Sequence, residues 1–132
     1  MLLKLAVKFG DAFYFIFRVL IGLLFFMHGM MKFGYFGGKA VESLVSMMGA
    51  AEIIEVIVGP LILLGLFTRL AALVGAGEMV VAYATVHWPQ GLNPLANQGE
   101  LAVLYFIAFL VLLTYGAKRV GLEKTLFKKE LF

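Results

Sequence analysis

RVLIGLLFFMHGMMK, residues 18–32, decides the fold, because it puts ionisable groups inside an otherwise apolar helix. At 3.6 residues per turn, Arg18, Gly22, Phe25, Gly29 and Lys32 follow one another at spacings of 4, 3, 4 and 3 and form a single stripe. An arginine near the middle of such a helix costs at least roughly 2.5–3.5 kcal/mol against lipid, so the stripe faces inward, toward partners or water. The two glycines on it let another backbone, or a flat ligand, come close.

The rest of the composition places that helix in a membrane. The chain has 132 residues, 63% apolar and 14% charged, with a mean hydropathy of +1.01, where soluble domains are about 45–50% apolar and about 25% charged. The expected fold class is all-α, an integral membrane four-helix bundle forming one domain. With no cysteine, the chain supplies no disulfide, thiol redox couple or cysteine-ligated iron–sulfur or zinc site. The net charge of +3 sits mainly at the termini and reads as a topology signal, so no nucleic-acid partner is expected. The N-terminal MLLKLAVKFG lacks a small-residue cleavage site and is expected to be a retained first helix.

Four apolar spans are expected over about 12–31, 47–67, 70–88 and 100–117, each near the ~20 residues that cross a bilayer. A Gly-rich connection with Gly34, Gly37 and Gly38 follows the first, Gly59-Pro60 interrupts the second, Thr68-Arg69 opens the third, and the polar loop QGLNPLANQG precedes the fourth. The basic tail, 118–132, interleaves Val120, Leu122, Leu126 and Phe127 with lysines and is expected on the membrane surface or partly disordered. Lys4, Lys8, Arg69, Lys118, Arg119, Lys124, Lys128 and Lys129 fall on one side and only Lys32 and Lys39 on the other, which predicts an inner (plasma) membrane protein with both termini cytoplasmic.

Helical rise sets the depth of the intramembrane acids. Glu52 and Glu55 lie within two turns of the outer end of the second helix and share a face with Gly59, and Glu100 opens the fourth helix. Lys32 and His28 end the first helix on that side, and His87 ends the third. Glu78 lies midway along the third helix, at the expected depth of Arg18, so Arg18 and Glu78 are the expected ion pair. The network is either a structural set of ion pairs holding a small bundle together or a ligand or proton site. Acids outnumber bases in it, so a carboxyl group either holds a proton or meets a cation or a hydroxyl-bearing ligand.

Other signals have plainer readings. His28 and His87 could bracket a haem, but a two-His match recurs by chance, and haem is not expected. The seven methionines form no Met-x-x-Met array and are read as packing, so no metal site is expected. The phenylalanines around Arg18 pack in the core or against lipid, and would also suit a planar quinone.

Arg18 with His28-Gly29-x-x-Lys32, the acids of the second helix, the run GPLILLGLFTR from Gly59 to Arg69, Glu78-Met79, and Gly99-Glu100-Leu101 together resemble the DoxX family over nearly the whole chain. That resemblance implies a four-helix membrane protein related to the small membrane subunit of thiosulfate:quinone oxidoreductase. Its recurring polar positions correspond to Arg18, Lys32, Glu55, Arg69, Glu78 and Glu100. The expectation is the membrane subunit or anchor of a quinone-linked oxidoreductase. In it Arg18 or Lys32 polarises a quinone carbonyl, Glu55 or Glu78 exchanges the proton, and His28, Gly29, Glu52, Gly59 and Glu100 line the ligand site. The alternatives are a small-solute or proton-coupled transporter using the same carboxylates, or a structural scaffold. Besides the lipid membrane, the expected partner is a second copy or an oxidoreductase subunit, since so short a chain encloses little volume.

Overall fold

The computed structural model describes residues 1–131. Helix α1 spans Leu2–Lys32, α2 Met47–Leu64, α3 Thr68–Ala82, α4 Glu100–Tyr115 and a short α5 Leu122–Phe127. There is no strand among the described residues. The distribution of side chains is that of a protein in lipid: Leu20, Leu24, Ile57, Leu73, Leu104 and Ile107 are exposed, while Arg18, Glu52, Glu55 and Glu78 are buried. Three helices, α1, α2 and α3 with its extension to Gln90, are long and apolar enough to cross a membrane. The fourth, α4, has 16 residues and covers about 24 Å. The architecture is an all-α membrane bundle of four helices.

Helix ends follow local chemistry. Ser46 caps α2, its hydroxyl accepting from the Gly49 N–H at 3.0 Å. Gly65, at φ +69, ends the helix three residues before the expected boundary, and Leu66 N–H reaches back to the Leu61 carbonyl at 2.8 Å, the closure of a Schellman turn. Likewise Gly116, at φ +63, stops α4 at Tyr115. At its start α1 departs further from expectation, beginning at Leu2 and not near residue 12. Nothing in the first ten residues breaks a helix, and a helix has no need to stop where the hydrocarbon does; at 31 residues it is about 46 Å long. Beyond Ala82, α3 continues through one π-helical turn, Tyr83–His87, and a short 3-10 turn, Trp88–Gln90.

The tightest packing joins α1 to α2 and α3 to α4, whereas α2 and α3 meet along a looser seam. Glycines set the first pairing. A Cβ on Gly59 would lie 2.6 Å from the Phe26 backbone nitrogen, and one on Gly22 would lie 2.5 Å from that of Leu63. Phe25 of α1 fills the centre, with its ring 4.8 Å from Phe109 and 5.2 Å from Tyr105 of α4. Gly59→Val should therefore lower bundle stability by about 3 kcal/mol, the upper part of the overpacking range, because the clash is with backbone that cannot rotate away. A thermal melt in detergent unchanged by this substitution would contradict the packing.

The tail is more ordered than its sequence implies. Around it, α5 docks on the end of the bundle that carries the termini: Glu123 is fully buried, its N–H donates to the Gly65 carbonyl at 3.1 Å, and Glu130 Oε1 accepts from the Ala117 N–H at 2.8 Å. Leu126 and Phe127 remain exposed. The final residue of the expected tail, Phe132, lies outside the described residues.

Candidate functional site

Lys32, in the last turn of α1, extends its ammonium to Glu55 of α2, with Nζ to Oε2 at 2.7 Å. The pair is largely enclosed, with side-chain exposures of 22% and 7%. From α3, Glu78 is within electrostatic reach of both. Its two carboxyl oxygens are buried, and neither has a hydrogen-bond partner among the described residues. Two carboxyl groups thus share one cation, and Glu78 has the Glu55 carboxyl as its neighbour but no close hydrogen bond to it.

These three side chains are the charged part of a cavity of about 280 Å³ between α2 and α3, whose other walls include Met48, Ile54 and Thr85. Tyr105 of α4 does not line the cavity but is in electrostatic reach of Glu55, and the His28 ring meets Tyr105 edge-on at 5.8 Å. Tyr105 was not among the expected site residues. Its signal was available as a hydroxyl on the inward stripe Ala102, Tyr105, Phe109, Leu112 of α4, all buried. The methionines Met47, Met48 and Met79 line this cavity as well.

The remaining expected site residues separate from this group. Glu52 is fully buried one turn nearer the helix start, with neither oxygen hydrogen-bonded among the described residues, and it does not line the cavity. Glu100 is exposed in the first turn of α4, where a carboxylate suits the helix dipole. The proposed ligand roles of Gly29 and Gly59 are corrected. The space beside them is filled by protein, with Val56 lying 2.7–2.9 Å from a Cβ on Gly29 and Phe26 lying 2.6–2.7 Å from one on Gly59. His87 is committed elsewhere. Its Nδ1–H donates to the Asn97 carbonyl at 3.0 Å, and the buried Asn97 amide in turn holds Tyr83 and Gly91.

Arg18 is the largest correction. It is 1% exposed but lies 14 residues before Lys32, about 21 Å along α1, and it makes no pair with Glu78. Its Nη1 donates to the carbonyls of Ile62 and Leu63 at 2.9 and 3.3 Å, and its Nη2 to that of Val120 at 2.5 Å. The guanidinium therefore caps the C-terminal end of α2, where carbonyls lack helical partners and the dipole is negative, and ties the tail to it. Arg69 does the same for α4, its Nε donating to the Leu113 carbonyl at 3.2 Å. Among the described residues, no group of three His, Asp or Glu side chains is arranged to hold a metal.

The comparisons with known proteins agree with the helical pattern. A family model described as DoxX matches residues 13–88. A Haemophilus influenzae protein of uncharacterised function is 38% identical over 121 residues, covering 85% of this chain and 89% of its own length. A Bacillus subtilis protein named "Putative oxidoreductase CatD" is 30% identical over 118 residues, covering 84% of each chain. No solved structure matches.

Proposed function

The chain belongs to the DoxX family, and from that premise we propose that it is the membrane subunit or anchor of a quinone-linked oxidoreductase, with the Lys32–Glu55–Glu78 cavity as the site for a quinone head. The observation that carries this reading is the buried carboxyl of Glu78, which faces the Glu55 carboxyl beside an ion pair in an otherwise apolar cavity. At about 280 Å³ the cavity is near the lower bound of roughly 300 Å³ for ligand pockets. That size suits one substituted ring. The name printed for the Bacillus subtilis relative supports an oxidoreductase setting.

The residues fit such a ligand chemically. An ammonium has three donors; one is engaged by Glu55, which leaves others for a carbonyl oxygen. Glu78 supplies a carboxyl able to give or take a proton at the cavity wall, and Glu55 holds Lys32 in place. A bound quinone would supply two-electron, two-proton redox chemistry. The apolar walls exclude water and so strengthen the polar contacts. With no cysteine in the chain, electrons would reach the site from a partner subunit.

The test is titration of the detergent-solubilised full chain with a short-chain quinone. Wild type should bind saturably, and Glu78→Gln should weaken binding by about tenfold, which corresponds to about 1.4 kcal/mol. Absence of saturable binding would favour transport or scaffolding by the same carboxylates. The orientation belongs to the same reading: the bias in lysine and arginine predicts cytoplasmic termini, so reporters fused at both ends should read inside and one inserted at Gly37 outside. The reverse pattern would overturn the assignment of the cavity to the outer half of the membrane.

A further inference from the structure

The α2–α3 seam does not end at the cavity. A second hollow of about 240 Å³ continues toward the end that carries the termini, lined wholly by apolar side chains, among them Ile53, Ile57, Leu61, Leu70 and Val74. The two hollows share Ile54. Gly77 of α3 lines the first hollow, and an added Cβ there would meet nothing within 4 Å. Phe67, in the turn between the helices, lines the second hollow, and its ring is 6.3 Å from Phe127 of α5. The two hollows thus adjoin along one seam, charged at one end and apolar beyond.

We infer that this seam holds one amphiphile in extended form, the ring of a prenylated quinone at Lys32, Glu55 and Glu78 and its isoprenoid tail along Ile53, Ile57 and Val74. The inference rests on the quinone reading of the cavity. The head cavity has room for little more than a ring, so the tail leaves it. Because the cavity lies in the loop-end half of the bundle, a tail directed toward the loops would quit the hydrocarbon. Directed along the seam, it stays within the hydrocarbon and against apolar walls. The helix rise between Glu78 and Leu70 is about 12 Å, within reach of a ten-carbon chain. A third hollow, beside Trp88 and Phe106 on the other face of α3, is the competing exit, but it lies at the loop end.

Three photoreactive probes in phospholipid nanodiscs test this on the full chain: a benzoquinone with an azide on its ring, a decyl-benzoquinone with a diazirine near the chain end, and a phospholipid with a diazirine in its acyl chain. Mass spectrometry should find the ring probe on residues 47–55 or 77–86, and the tail probe on 53–61 or 70–74. Excess unlabelled prenylquinone, but not phospholipid, should compete with the tail probe. Ile57→Trp should cut tail labelling by about tenfold, the scale of overpacking a filled site, and leave ring labelling unchanged. Ring labelling in the cavity with tail labelling at Trp88 or on lipid-facing α1 overturns the inference alone. A tail signal that phospholipid competes away, or that the phospholipid probe reproduces equally, also overturns it, since the groove would then be a lipid-filled crevice. A ring probe that never labels the cavity overturns the quinone reading and this inference with it.

Discussion

Arg18→Leu is expected to lower the stability of the bundle by about 3–5 kcal/mol, because it removes at least two charge-assisted hydrogen bonds worth roughly 1.5–3 kcal/mol each. Of the carbonyls that receive them, that of Ile62 is fully buried and those of Leu63 and Val120 are partly so. Loss of the guanidinium also frees the tail from the end of α2, so protease sensitivity around residues 118–131 should rise together with the fall in thermal midpoint. Adding Glu78→Gln should recover nothing, since Glu78 is at the other end of the cavity region and shares no contact with Arg18. Recovery in the double variant would mean that the two are paired after all.

Lys32→Met is expected to cost about 3 kcal/mol, because breaking a buried pair from one side leaves an uncompensated charge. Here it leaves Glu55 facing Glu78 with no cation between them. Glu55→Gln alone should be mild, since Lys32 then has Glu78 within reach. The combination Lys32→Met with Glu55→Gln should recover most of the lost stability, but it should not recover quinone binding, which needs the ammonium. Thermal melts and binding titrations of the three variants separate these effects. Recovery of binding together with stability would show that the ion pair is structural only.

The sequence made much of this legible and missed the rest for identifiable reasons. Hydropathy located the spans, and helical rise put the end of the first helix, with Lys32, on the same side as Glu55, where the two meet. The inward stripe of α1 was also legible: Arg18, Gly22, Phe25 and Gly29 are its buried residues. What each member touches was not legible. Depth matches Arg18 to a carboxylate, whereas its acceptors are backbone carbonyls, an acceptor type that no residue letter announces. Gly29 and Gly59 read equally well as ligand contacts or as helix contacts, and only the approach of α1 to α2 separates these. The docking of α5 depends on Gly65 and Gly121 allowing backbone contact, with Gly65 O and a Cβ on Gly121 only 2.9 Å apart. A pattern of lysines and leucines carries no trace of that. The single hydroxyl of Tyr105 in an apolar helix looks like packing until Glu55 is found within electrostatic reach of it.

Whether the Lys32–Glu55–Glu78 cavity holds a quinone head is decided by purifying the full chain from membranes, extracting it with organic solvent and quantifying quinone against protein. Quinone should approach one per chain in the wild type and fall sharply in Glu78→Gln protein that melts like the wild type. Quinone no higher than in an unrelated membrane protein purified the same way, and unchanged by Glu78→Gln, would contradict it.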